Sequence, residues 1–336
     1  MNARSRQRVL VALVTMLALS TTAQAQLFRA YLAIDGNDAN PCTLPAPCRL
    51  LPAALSAVAD GGEIWMLDSA NYNTAAVNIA KSVKILAVPG AVGSVVATGG
   101  PAITIATPGV SVSLRNLVIV PLPGGGGTVG VEMTAGNSLA VEDSLITGMP
   151  NSGIRVTGSA NVKVVEATVR VSGHGIWVRD GARATVTRCV VSTIGNNAIN
   201  ARGDTAGTTT TVSVSGSTLE GGLAGAVAYS GNATATVKLA VSGSQVDRND
   251  YGLYAVSGAG GAVTLTAAGN VVTNSVFEAL FVSGTGAKGW ATGNTVTDNG
   301  TGLSVAGGGV LESAGDNAVR NNTADKVGTI SVVARE

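Results

Sequence analysis

A repeat constrains this chain more than any other feature. A small residue followed by an alternating stretch recurs at Gly130, Gly153, Gly175, Ala198, Gly225, Gly252, Ala279 and Gly302, in steps of 22, 23 or 27 residues. A second column keeps the same phase through Ser144, Ala167, Cys189, Ser217, Ser244, Asn270, Asn294 and Asn317, and two residues after each comes an apolar side chain. Two columns with matching steps identify each unit as one turn of a solenoid. Units this short leave no room for helix pairs, and the period-2 pattern inside them excludes helical leucine-rich repeats. An all-β chain remains, a single-stranded parallel β-helix of about 11 coils.

Coils stacked at about 4.8 Å set equivalent residues directly above one another. The second column therefore forms a ladder of small side chains at a tight corner, where Asn and Ser reach backbone groups of adjoining coils, and Cys189 becomes a small buried member of it. The 27-residue units widen one turn around 204–209, 230–233 and 257–261, making a ridge along one side. Composition agrees with this reading. The chain is 46% hydrophobic but only 3% aromatic, so its core is built of Val, Ala, Ile and Leu, which suit regular layers. A formal net charge of +1 supplies no global field to draw the protein onto nucleic acid or an anionic membrane.

The first 25 residues carry Arg4, Arg6 and Arg8, an apolar run from Val9 to Leu19, then Ala23-Gln24-Ala25, the order of a secretory signal peptide cleaved before Gln26. The apolar run is too short for a membrane span, which needs about 20 residues, and no later segment reaches that length. The mature protein is expected outside the cytoplasm, in the periplasm or beyond, with no transmembrane segment. In that oxidising setting Cys42 and Cys48 are expected to close a short disulfide loop. Residues 26–62 read as an N-terminal cap containing a helix over 50–59, with Leu51, Leu55 and Val58 on one face and Asp60-Gly61-Gly62 ending it. Residues 63–336 then form the solenoid, with 121–127 as a protruding loop.

The segments Asp35-Gly36-Asn37-Asp38-Ala39-Asn40-Pro41-Cys42, Pro47-Cys48-Arg49, Gly61-Gly62-Glu63-Ile64 and Lys81-Ser82-Val83-Lys84-Ile85 resemble those of exported bacterial right-handed parallel β-helix repeat proteins of the pectin-lyase-like superfamily. The resemblance implies the fold and a surface location. It implies no reaction, because the same solenoid carries lyases, hydrolases, epimerases and adhesins.

Three sets of residues are candidates for function. Gly173-His174-Gly175 resembles a short motif of polygalacturonases, but the aspartate motifs those enzymes need are missing, and His174 reads as a turn residue of the repeat. Asp143, Glu166 and Arg188 occupy one column on three successive coils. As a lyase site they would hold calcium and a uronate, with Arg188 as base; as a surface charge ladder they would contribute little. No cofactor is expected outside that lyase alternative, and no metal site is assigned.

The third set is a sheet face. If the coils align, Arg155, Trp177, Arg179, Asn200, Arg202, Tyr229, Tyr254 and Phe281 point outward together. Aromatic rings flanked by arginines suit stacked sugars with anionic groups held by guanidinium, or else stabilise the sheet by cross-strand pairing. The expected function is a non-catalytic, exported polysaccharide-binding or structural protein. The alternatives are a lyase or hydrolase of an acidic polysaccharide, and an adhesin for host protein.

Overall fold

The computed structural model describes residues 26–333. The expected signal peptide, 1–25, lies outside the described residues, as do 334–336. Each coil crosses three parallel sheets, here numbered I to III. Among the described residues, sheet I has thirteen strands, sheets II and III have eleven each, and neighbouring strands in a sheet belong to consecutive coils. One coil runs through Ser152–Thr157 in sheet II, Asn161–Val165 in sheet I and Thr168–Ser172 in sheet III. The next repeats the course with His174–Arg179, Arg183–Thr187 and Val190–Ile194.

Register is set by the core. Ile154 lies opposite Ile176, Val164 opposite Val186 and Val169 opposite Val191, so like stacks on like along the axis. All six are fully buried. Burying one such side chain contributes about 1.5–3 kcal/mol, and a one-residue slip would turn the whole set outward. β-Branching helps, because a χ1 that is already restricted loses little freedom in the stack.

The corner between sheets I and III explains the small-residue ladder. Asn116, Asp143, Glu166, Arg188, Gly216, Gly243, Gly269 and Gly293 all adopt left-handed backbone, with φ between 49° and 64°. The sharp bend sends the following residue inward, and where that residue is Ser or Asn its side chain accepts a backbone N–H from the coil before: Cys189 N–H donates to Ser217 Oγ at 3.1 Å, and Asn270 N–H to Asn294 Oδ1 at 2.9 Å. Cys189 is free and buried, as its column requires, and burial pushes its thiol pKa up. A second ladder stands five residues further on, at the corner between sheets III and II. There Gly222 N–H donates to Asn249 Oδ1, Ser275 N–H to Asn299 Oδ1 and Asn299 N–H to Asn322 Oδ1.

The N-terminal region departs from expectation. Its helix covers only Leu51–Ala57, not 50–59, and Val58–Met66 is already a strand of sheet I. Asp60-Gly61-Gly62 does not end the helix. It bulges the strand, with Gly61 at φ 77°, its N–H donating to Ser82 carbonyl and Asp60 Oδ1 accepting from Ser82 N–H. Leu27–Leu32 lies before it as the first strand of sheet I, so residues 26–62 supply sheet as well as cap. Leu51, Ala54 and Leu55 of the helix are buried in the core. Cys42 and Cys48 are joined, with Cα atoms 4.6 Å apart, and both are buried. The widened turns of the 27-residue coils fall between the sheet II and sheet I strands, after Gly203, Ser230 and Ser257.

Candidate binding face

The outward rows of sheet II align as the repeat requires. Arg155 pairs with Trp177, Trp177 with Asn200, Asn200 with Val227, Val227 with Tyr254 and Tyr254 with Phe281. Beside this row, Arg179 pairs with Arg202 and Arg202 with Tyr229. All eight predicted residues therefore share one face.

Two properties differ from the sequence expectation. The rings are half-buried, and Asn200 is only 3% exposed, because neighbouring side chains lie down over them. Tyr254 stacks on Phe281 with centroids 5.0 Å apart and planes 14° off parallel, and on Tyr251 at 5.2 Å and 11°. Phe277 extends the cluster, 5.2 Å from Tyr251. Sequence reasoning missed Tyr251 and Phe277 because they stand at the strand edge, outside the alternating rows. Their spacing from Tyr254 and Phe281, three and four residues, was the available signal.

The arginines are already committed. Arg155 pairs with Glu132. Arg179 binds Asp180 at 2.8 Å and Asp204 at 3.0 Å, and Arg202 donates to Asp204 at 2.6 Å. Their guanidinium planes also lie on rings, Arg202 4.4 Å from Tyr229 and Arg179 5.3 Å from Trp177. Burial pushes the Asp180 carboxyl up, but backbone N–H groups of Asp204 and Thr205 and the Arg179 guanidinium outweigh it, leaving the pKa below the ordinary value. Three cations thus meet three carboxylates on one face.

His174 is not a bare turn residue. It begins a sheet II strand, its ring lies 4.6 Å from Trp177, and its Nδ1 is 3.5 Å from Asn200 Nδ2. Burial, then the charge of Arg202, lowers its pKa. Shallow concavities flank this point: one of about 470 Å³ by Arg155, His174 and Trp177, and one of about 170 Å³ by Asn200, Arg202, Tyr229, Tyr251 and Tyr254.

Asp143, Glu166 and Arg188 stand elsewhere, on the corner between sheets I and III. Arg188 Nε donates to Glu166 at 2.8 Å, whereas Asp143 is engaged by Arg115 at 3.0 Å, and all four side chains are well exposed. Among the described residues no group of three or more His, Cys, Asp or Glu is placed to hold a metal ion. No helix among them is long and apolar enough to cross a membrane.

Residues 111–240 match the family described as right handed beta helix region. Over 90% of this chain and 81% of the other, the structure superimposes on pectate lyase Pel9A with a TM-score of 0.53 at 13% identity. The chain is a right-handed parallel β-helix with the pectin-lyase-like fold. This β-helix is also similar to Dettilon tailspike protein gp208, with a TM-score of 0.57 at 13% identity, over 78% of this chain and 56% of the tailspike. A third likeness is the A-module of mannuronan C-5 epimerase AlgE4 from Azotobacter vinelandii, with a TM-score of 0.52 at 11% identity, over 81% and 91% of the two chains. At such identities the likeness is one of fold. No curated protein matches the β-helix in sequence.

Proposed function

We propose that this is an exported, non-catalytic β-helix that binds polysaccharide along sheet II. The observation that carries the reading is the cluster of stacked rings, Phe277, Tyr251, Tyr254 and Phe281, shared by two successive coils of one face. Half-buried rings held by their neighbours are pre-organised, so little freedom is lost when the flat face of a sugar settles on them. A long, regular face suits a long, regular ligand. The structural neighbours named for carbohydrate chemistry, a pectate lyase and a mannuronan epimerase, support the ligand class. The disulfide and the signal-like first 25 residues support export. A non-catalytic role is favoured because Glu132, Asp180 and Asp204 on the face are each tied to arginine, and Asp143 and Glu166 of the corner column to exposed cations.

Affinity electrophoresis through polysaccharide-containing gels tests the reading. Tyr254→Ala is expected to weaken retention by about 1–3 kcal/mol, with stacking of bases on aromatic side chains as the analogue. Retention unchanged in Tyr254→Ala and Phe281→Ala would reduce the cluster to sheet stabilisation. New reducing ends or unsaturated products on incubation would transfer the face to the enzyme alternative.

A further inference from the structure

Among the described residues, five Lys and Arg side chains enter no ion pair and no side-chain hydrogen bond: Arg170, Arg183, Lys238, Lys288 and Lys326. Three of the five stand in one line. In sheet I, Arg183 pairs with Thr211, Thr211 with Lys238, Lys238 with Thr264 and Thr264 with Lys288. A cation therefore recurs on every second coil, with threonine on the coils between, and all three cations are exposed. The five strands that carry the line, Arg183–Thr187, Thr209–Ser215, Thr236–Ser242, Ala262–Ala268 and Ala287–Thr292, contain no Asp or Glu. Carboxylates stand only at the margins of this stretch: Glu142, paired with Lys163 before it, Glu312 opposite Trp290 after it, and Asp316 at the corner, accepting from Thr292 Oγ1 and Gly293 N–H.

The spacing of the line selects its ligand. Two coil steps of about 4.8 Å set the cations about 9.6 Å apart, far enough that their mutual repulsion in water is weak and the fold tolerates it. A polyanion engages all three only if its own charges are as sparse. Nucleic acid does not fit, since each strand of a duplex carries a phosphate about every 3.4 Å and most of them would face uncharged threonine. An extended polysaccharide advances by one sugar in nearly one coil step, so an anionic group on alternate sugars would meet a cation each time. The sugars between would lie over Thr211 and Thr264, whose hydroxyls both donate and accept.

We infer that sheet I is a second binding face, taking an acidic polysaccharide laid along the solenoid axis with one anionic group on alternate sugars, held by Arg183, Lys238 and Lys288. This face is separate from the rings of sheet II and does not depend on them. It moves the anionic ligand away from the arginines of sheet II, which are already paired with Glu132, Asp180 and Asp204, to cations with no carboxylate to displace.

The purified protein is run through gels containing hyaluronate, with a carboxylate on alternate sugars, polygalacturonate, with one on every sugar, or duplex DNA. Hyaluronate is expected to retain it most at low ionic strength, and the retention should vanish as NaCl is raised to about 0.5 M. Lys238→Glu reverses the central charge between two uncharged neighbours, so the melting temperature should hold while hyaluronate binding weakens about tenfold, one exposed attraction being lost and a repulsion put in its place. Tyr254→Ala should leave that binding unchanged. Thr211→Lys with Thr264→Lys puts a cation on every coil and should turn the preference toward polygalacturonate. No retention by hyaluronate, or retention undiminished in Lys238→Glu, would overturn the site. Retention lost in Tyr254→Ala instead would return the acidic ligand to sheet II. Wild-type preference for polygalacturonate or DNA would overturn the match of spacing.

Discussion

Val171 sits where its side chain is least suited. At φ 51° it occupies the left-handed region that β-branched residues avoid, at a corner where equivalent coils place Gly148, Thr193, Gly221, Arg248, Asn274, Asp298 and Asn321. Its side chain is 54% exposed, so little packing offsets the strain. Val171→Asn is expected to stabilise the protein by about 1 kcal/mol, read as a higher denaturant midpoint at unchanged m-value. His174 gives a second prediction at this scale. Its folded pKa is depressed, so the unfolded chain binds the proton more readily. The contribution is present in full above the unfolded pKa of about 6.5 and is lost as pH falls through the lower folded value. Thermal unfolding of wild type and His174→Asn across that window should show wild type losing stability on acidification and the variant losing less. Equal slopes would show that the ring's environment does not disfavour its charge.

At the scale of the element, the corner ladders determine how far coils can move relative to one another. Asn294 shows the load on one rung: its Oδ1 accepts from Asn270 N–H and Nδ2–H, and its Nδ2 donates to Ala267 carbonyl and Asn317 Oδ1. Asn294→Ala leaves several of these groups buried and unpaired, and should cost about 2–4 kcal/mol in chemical denaturation. Asn294→Ser, which matches the residue type at Ser217 and Ser244, should cost clearly less. The first ladder was legible in the sequence because its column repeats with the coil, and the register of sheet II followed from the same period. The second ladder had an equally plain signal, a fixed offset of five residues from Ser244, Asn294 and Asn317 to Asn249, Asn299 and Asn322. It is diluted where Met149, Ile194 and Gly222 take the slot. The helix end was misplaced because Asp60-Gly61-Gly62 has the residues of a helix stop and of a strand bulge alike, and only pairing with Leu27–Leu32 decides between them. The pairing of the arginines was invisible for a different reason. Asp204 lies in a widened turn, and what a turn residue touches depends on where the loop folds back, which periodicity does not encode.

At the scale of the whole molecule, the solenoid is a stack in which each coil touches chiefly the coils before and after it. Its cap is built at the N-terminal end from a helix, a disulfide loop and the strand Leu27–Leu32, so that end is closed against strand addition. The parallel register described above has a mechanical consequence. Tension applied between the two ends of the chain peels one coil at a time, because each coil hangs from the next by its own set of backbone bonds and shares none with distant coils. A single molecule stretched between surfaces should therefore lengthen in discrete steps rather than in one event. Between Gly130 and Gly302, where the coils run 22 to 27 residues, each step releases about 75–95 Å of chain, and the widened coils give the longer steps. Force spectroscopy would read the 22-, 23- and 27-residue periods directly as two groups of step lengths, turning the spacing of small residues in the sequence into a ruler.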